Sequence, residues 1–268
     1  VIFYSDELSK QSSHIRLIER DSVNHIIKVL RKTTGTSIRI TDGNGLLAQG
    51  TISRINRKEP SLLINCDSVT LVPPPSYQVT TAVAFIKHPA LELMLQKLVE
   101  VGVHRILLFP AAHSDFFTIP FSENGSQHPA PIKSFQNKQQ RWNQIIREAC
   151  KQSERVYFPS LHILDDLNKI FENPSSTRYI LADNKDGHPP NDVLAMLKTA
   201  MDRGCCSNHP FEVTLIIGPE GGLTDAERDY MGNHHIIPFC FPHAIMRSET
   251  AAICLTSFFS FCLTDQDT

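Results

Sequence analysis

Apolar side chains recur along this chain with two different periods, and the change of period divides it. Residues 24–31 (NHIIKVLR) carry them at helical spacing. Alternating runs follow at 37–41 (SIRIT) and 46–55 (LLAQGTISRI), and LLINCDSVTL at 62–71 reads as another strand. Asp42-Gly43-Asn44-Gly45 between the first two runs predicts a hairpin turn, because these residues tolerate positive φ. A short helix among several strands predicts a small β-barrel. Val72-Pro73-Pro74-Pro75 closes this part: three prolines cannot continue a ladder and favour an extended linker. The predicted domains are therefore 1–72 and 73–268.

Beyond the linker the rhythm becomes strand, helix, strand. VAFIK (83–87) predicts a buried strand, and Pro89 opens a helix with Leu91, Met94, Leu95 and Leu98 on one face, stopped by Gly102. ILLF (106–109) is the next strand. Trp142, Ile145, Ile146, Ala149 and Cys150 line one face of a second helix, and YILA (179–182), VTLIIG (213–218) and IIPFCF (236–241) predict further strands. This alternation predicts an α/β domain on a mainly parallel sheet. Residues 118–140 and 202–210, rich in Pro, Ser, Asn, Gln and Gly, read as surface loops.

Composition narrows the class. With 41% apolar and 20% charged residues the 268-residue chain can bury a core and carries too few charges for wholesale disorder. The net charge of -2 excludes a uniformly basic nucleic-acid binder. The balance is uneven, however: ten basic and seven acidic side chains fall in residues 1–72, leaving sixteen and twenty-one for the rest. A polyanion would therefore meet the first domain, where Arg16, Lys28, Arg31, Lys32, Arg39, Arg54, Arg57 and Lys58 are candidate phosphate contacts, although a solvated mixed-charge surface is the competing reading for any one of them. Seven cysteines without a CxxC pair fit buried thiols in a reducing compartment. No secretory signal reads at VIFYSDELSK, and Ala251–Leu263 is too short and too rich in Ser and Thr to span a bilayer. A cytoplasmic protein without a membrane segment is expected. Neither HExxH nor a zinc-spaced Cys/His set occurs, so no metal is expected, and no GxSxG elbow supports a serine hydrolase.

Two segments could carry chemistry. Gly218-Pro219-Glu220-Gly221-Gly222 follows an apolar strand and precedes Thr224-x-x-Glu227, a capping-box helix start. Such a turn offers backbone N–H groups at the carboxyl end of a parallel sheet, where ligands of open α/β folds bind. Glu220 would repel a phosphate and suits a neutral or cationic ligand with ribose hydroxyls; a tight turn with glycines for steric reasons is the competing reading. The second segment is Phe241-Pro242-His243-Ala244-Ile245-Met246-Arg247-Ser248-Glu249-Thr250-Ala251. It leaves another strand end and enters a helix for which Ser248 is the predicted N-cap, with Glu249 in the first turn. A helix cap with an Arg–Glu surface pair is the alternative there.

Together, a strand ending in GPEGG and a second ending in R-x-E-T-A resemble the RsmE family of 16S ribosomal RNA N3-methyluridine methyltransferases, within the SPOUT class. His25-x-x-x-Val29-Leu30-Arg31, Lys87 with Gln96-Lys97-x-x-Glu100-x-Gly102-Val103, and Arg141-Trp142, Ile145, Glu148-Ala149, Gln152-Ser153 and Arg155 are similar to further motifs of that family. The resemblance implies a PUA-like β-barrel joined to a SPOUT α/β domain with a C-terminal trefoil knot. It also implies a homodimer and S-adenosyl-L-methionine as cofactor. Residue by residue, it places Gly218, Pro219, Glu220, Gly221 and Gly222 on one cofactor wall, Ile245, Met246, Ser248 and Thr250 in the second loop, and Leu181 beside the adenine. Arg16, Lys28, Arg31 and Lys87 would face 16S ribosomal RNA of the small ribosomal subunit. Arg247 would stabilise charge developing on the uracil, and Glu249 would orient Arg247 or cap the helix. This sequence departs from the family at Pro242 (usually Gly), Ala244 (usually Arg), His88-Pro89-Ala90 and His113. Another SPOUT enzyme, or a non-catalytic RNA-binding or assembly factor, remains an open alternative.

Overall fold

A computed structural model describes residues 1–114, 133–172, 177–182, 187–203, 210–241 and 245–264. Pro242, Ala244, Cys205 and Cys206 lie outside these, as do residues 118–132 of the first expected loop and 204–209 of the second. The chain falls into two units, Val1–Pro74 with Arg147–Phe158, and Pro75–Ile146 with Pro159–Thr268.

In the N-terminal unit the alternating runs become β3 (Ser37–Thr41), β4 (Leu46–Asn56) and β5 (Ser61–Leu71). Two short strands, β1 (Ile2–Tyr4) and β2 (His14–Leu17), join them in the order β1-β3-β4-β5-β2. All pairs are antiparallel except β1–β3. The expected turn between β3 and β4 forms because Asp42 Oδ1 accepts from the Asn44 and Leu46 amides at 2.8 and 3.0 Å, with Gly43 and Gly45 at φ +76° and +106°. Ile38, Ile40, Ala48, Ile52 and Ile64 point into the core. The register of β4 against β5 shifts between Ile52 and Arg54. Ser53 is the extra residue, so Ile52 stays inward opposite Ile64 while Arg54, two residues on, turns outward opposite Leu63.

The helix expected at 24–31 is instead α1 (Arg20–Asn24) running into a π-helical turn, His25–Val29, after which Arg31 adopts φ +52°. The last residues of α3 (Lys133–Gln152) also belong to this unit. There Lys151, only 5% exposed, lies 2.6 Å from Glu148 and 3.4 Å from Glu19, and its ammonium donates to Ser22 at 3.3 Å. Burial pushes the neighbouring Cys150 thiol up to about 12, which keeps it protonated and inert.

In the second unit β6 (Tyr77–Ala84), β7 (Arg105–Phe109), β8 (Ser160–Ile163), β9 (Arg178–Ala182), β10 (Phe211–Ile217) and β11 (Ile237–Phe239) form one sheet ordered β11-β9-β10-β6-β7-β8. Every neighbouring pair is parallel. The helices are α2 (His88–Glu100), the first part of α3, α4 (Pro190–Arg203), α5 (Asp225–Gly232) and α6 (Ser248–Cys262). Of these, α6 packs against α2 and across β6 and β10. Two readings need correction. The strand placed at 83–87 begins at Tyr77 and ends at Ala84; Thr80 and Thr81 hid its start, yet both are buried, and the Thr81 hydroxyl is bonded to that of Thr256 at 2.8 Å. The loop read through residue 140 is helical from Lys133, because Lys and Gln favour helix and Phe135 packs edge-on against Trp142, two turns later, at 6.3 Å.

One local feature of β11 stands out. It lies between β9 on one side and His188 on the other, the His188 amide donating to Pro238 and its carbonyl accepting from Cys240. A side chain on Gly187 would run into the backbone of Phe239 and Cys240.

Candidate active site

Because the sheet is wholly parallel, the carboxyl ends of its strands share one edge, and the chemically distinctive segments collect there. β6 and β10 are neighbours, yet the following strands lie on opposite sides of them, β7 to one side and β11 to the other. This is the topological switch at which open α/β sheets bind ligands. The ladder ends with Ile217 beside Ala182, and Phe239 beside Ala182 on the other side. Past Ile217 the chain turns through Gly218–Gly222, closed by the Gly222 amide donating to the Pro219 carbonyl at 2.9 Å. Gly222 sits at φ +74°, a conformation that favours glycine.

The predicted capping box starts α5. The Glu227 amide donates to Thr224 Oγ1 at 3.3 Å, and Glu227 Oε2 accepts from the Thr224 amide at 2.7 Å. Its other oxygen accepts from the Ala112 amide at 2.8 Å. Burial works to raise this carboxyl, but the amides of Thr224 and Ala112, the Thr224 hydroxyl and nearby His113 together hold it below the ordinary value.

The second segment meets the first at Ser248. Contrary to expectation Ser248 is not the N-cap: Arg247 holds that position, and the Ser248 hydroxyl, instead of accepting from an amide of the first turn, donates to the Gly218 carbonyl at 2.8 Å. The reason is position. Ser248 is the first helical residue and is 6% exposed, so its side chain points down onto the glycine turn.

Between the two segments lies a pocket of about 250 Å³. Of the residues singled out by sequence, Gly218, Pro219, Glu220, Gly222, Ile245, Met246 and Ser248 line it. Gly221, Leu181, Arg247, Glu249 and Thr250 stand outside the lining. Leu181 is buried in the core with Phe109 and Leu223, and its neighbour Ala182 faces the pocket, as strand alternation requires. Gly221 is small for another reason: a β-carbon there would lie 2.8 Å from that of His113, whose Nδ1 is 3.1 Å from the carbonyl oxygens of both Gly221 and Gly222. Arg247 is exposed, and among the described residues no carboxylate lies within ion-pair distance of it, Glu249 included.

Sequence reasoning did not name Arg228, Leu223, Phe241 or Ala251 as pocket residues. Arg228 carried a usable signal: a helical side chain leans back over the preceding turn, so a residue four past the cap Thr224 is aimed at the glycine turn. The pocket's chemistry fits a purine nucleoside with a positive group, since apolar walls from Leu223, Phe241, Ile245 and Met246 suit a flat ring and the exposed carboxylate of Glu220 suits hydroxyls or a cation.

On the N-terminal unit, Arg16 and Arg54 flank Leu63 in one cross-strand row, both paired with it in register. They line a recess of about 250 Å³ with Asn56, Ser61 and Leu62. Both are exposed, and Glu7 accepts from the Arg16 main-chain amide rather than from its guanidinium. Lys28 lies in the π-helical turn and Arg31 just after it, both exposed; Lys87, in the second unit, is the exposed N-cap residue of α2. No group of three or more His, Cys, Asp or Glu suited to a metal occurs among the described residues, and no helix there is long and apolar enough to cross a membrane.

Two stretches of the chain match known protein families. Residues 73–260 match the RNA methyltransferase domain family, and residues 18–65 match the RNA methyltransferase PUA domain. Ribosomal RNA small subunit methyltransferase E of Bacillus subtilis is 24% identical over 264 residues, covering 96% of this chain and 95% of its own. The crystal structure of a Neisseria gonorrhoeae protein of the same name, bound to S-adenosyl methionine, superposes with a TM-score of 0.74 at 19% identity, covering 97% and 96% of the two chains. A Legionella pneumophila structure solved in complex with the bound cofactor SAM gives 0.75 at 22%, covering 97% of each.

Proposed function

This chain belongs to the RNA methyltransferase family, and on that premise we propose that it methylates N3 of a uridine in small-subunit (16S) ribosomal RNA, using S-adenosylmethionine. The observation that carries the reading is the pocket itself: the Gly218–Gly222 turn and the Ile245–Ser248 segment, separated in sequence by α5 and β11, are joined by the Ser248–Gly218 bond around a space with nucleoside-sized apolar walls and one exposed carboxylate. The names of the full-length relatives support the ribosomal RNA substrate, and the choice of N3 rests on the motif resemblance.

Bound there, S-adenosylmethionine supplies an electrophilic methyl group on a sulfonium. The residues do the rest. Gly222 lets the backbone approach the ligand, and Glu220 offers its carboxylate to hydroxyls or positive charge. The uracil N3–H is weakly acidic and used in base pairing, so the base must be unpaired before it can react. Arg247, exposed beside the pocket and always charged, stabilises the negative charge that develops on the base oxygens next to N3. Glu249, half-buried in the first turn of α6, favours the helix start; it makes no ion pair with Arg247 and so does not orient it. Arg16 and Arg54, with Lys28 and Arg31, bind RNA phosphates on the N-terminal unit, and the exposed Lys87 does so on the second unit.

We infer that the C-terminal segment is threaded as a trefoil knot, which the insertion of β11 between β9 and His188 supports. A homodimer is supported by Leu93 on α2 and Phe261 on α6, large apolar side chains 50% and 73% exposed on two helices that pack together. Cytoplasmic location follows from the substrate.

Calorimetric titration with S-adenosylmethionine tests the core of this proposal. One saturable site per chain is expected, weakened by a Gly222→Val substitution. A folded protein that takes up no S-adenosylmethionine would overturn it and favour a non-catalytic RNA-binding role.

A further inference from the structure

Two ionisable side chains line the pocket, and they carry opposite charge: Glu220 and Arg228. The remaining lining residues are apolar or glycine, apart from Ser248, whose hydroxyl is committed to the Gly218 carbonyl. The pocket is thus built for a ligand with charges of both signs.

Arg228 stands in the first turn of α5, its amide donating to the Thr224 carbonyl at 3.0 Å. Its side chain runs back over the start of the helix, as helical side chains do. A β-carbon on Gly222 would find Arg228 Nη2 as its nearest neighbour, at 3.9 Å, so the guanidinium lies along the open side of the positive-φ glycine. A guanidinium has five N–H donors in a rigid fork, so bonds it makes within the protein leave others for a ligand. Among apolar walls such a group attracts an anion more strongly than it would in water. Glu220 on the same pocket disfavours a phosphate with its multiple negative charges. A zwitterion with a single carboxylate meets both demands.

We propose that Arg228 binds the carboxylate at the amino-acid end of S-adenosylmethionine and is a specificity-determining residue for that cofactor. The inference rests on the assignment of this pocket to S-adenosylmethionine. The carboxylate is that molecule's one anionic group, and the flat fork of Arg matches it with two parallel hydrogen bonds. Glu220 then faces the cationic groups of the same ligand. The consequence is discrimination: a nucleoside thioether or sulfonium lacking the carboxylate fills the apolar part of the pocket but gains no bond from the guanidinium.

The test compares S-adenosylmethionine with its decarboxylated form, which differs at that group alone, in calorimetric titrations of wild type, Arg228→Ala and Arg228→Lys. Wild type should bind the intact cofactor about 10- to 100-fold more tightly, the range of a hydrogen bond to a charged group. Arg228→Ala should close that gap by weakening the intact cofactor while leaving the decarboxylated one bound as before, and Arg228→Lys should retain part of it. Equal weakening of both ligands in Arg228→Ala, or a wild type that does not distinguish them, would overturn the proposal. The wild-type comparison needs no variant, so it decides even if Arg228→Ala fails to fold. Uptake of neither ligand by wild type is a separate result, and it overturns the cofactor assignment together with the inference built on it.

Discussion

Replacing Ser248 with Ala removes one hydroxyl and leaves the Gly218 carbonyl without its donor. The bond is 2.8 Å long and Ser248 is 6% exposed, so water cannot readily replace the lost hydroxyl from the helix side. A hydrogen bond of this kind contributes about 0.5–1.5 kcal/mol net, and leaving a buried acceptor unmet costs about 1–3 kcal/mol. Gly218 is itself only partly buried, which places the expected loss toward the lower end, about 1–1.5 kcal/mol. For a chain of this size that corresponds to a melting temperature lower by roughly 2–6 °C. The pocket should suffer as well, because its two walls would have to be ordered when the ligand binds. Ordering costs of about 1 kcal/mol weaken affinity by about fivefold. Differential scanning calorimetry and cofactor titration on the same preparation read both effects. Unchanged melting temperature and unchanged affinity in Ser248→Ala would refute the claim that this bond joins the two segments into one site.

Three other outcomes are expected. Arg16→Ala with Arg54→Ala should weaken RNA binding and flatten the slope of log K against log salt, because fewer counterions are released; an unaltered slope would place the RNA elsewhere. Gly221→Ala should lower cofactor affinity by pressing His113 off the turn, and adding His113→Gly, which removes the β-carbon the new side chain strikes, should restore part of it; additive losses would argue against that contact. Since the Glu227 carboxyl is held below its ordinary value of 4.5, its stabilisation is present above about pH 4.5 and is lost as pH falls through the lower folded value. Wild type should therefore lose melting temperature faster than Glu227→Gln on acidification below pH 4.5, and parallel curves would contradict the sign.

Much of this architecture is legible in the sequence because it is written in local patterns. The apolar runs at 106–109, 179–182 and 213–218 announce buried parallel strands, and Asp42–Gly45 announces its hairpin. The two segments of the pocket are legible as motifs. What was hidden depends on contacts between distant residues. Thr80 and Thr81 are consecutive polar residues that interrupt the apolar run, yet both are covered by the fold, one on each face of the strand. Strict alternation would turn Arg54 inward; the extra residue Ser53 turns it out beside Arg16, and nothing local marks a bulge there. Arg147–Phe158 continues a helix of the second unit yet packs with the first, through the burial of Lys151 against Glu19 and Ser22. Gly221 reads as a ligand-approach glycine and is small because of His113, more than 100 residues away in sequence.

The most direct test of the central claim is the identity of the methylated atom. Small ribosomal subunits lacking the modification would be incubated with the protein and S-adenosylmethionine, and the 16S RNA digested to nucleosides for mass spectrometry. The expected product is N3-methyluridine, formed by wild type and strongly reduced by Arg247→Ala at unchanged cofactor affinity, as befits a group acting in the transition state. No methyl incorporation by cofactor-loaded wild type, or incorporation at a ribose or another base, would contradict the account.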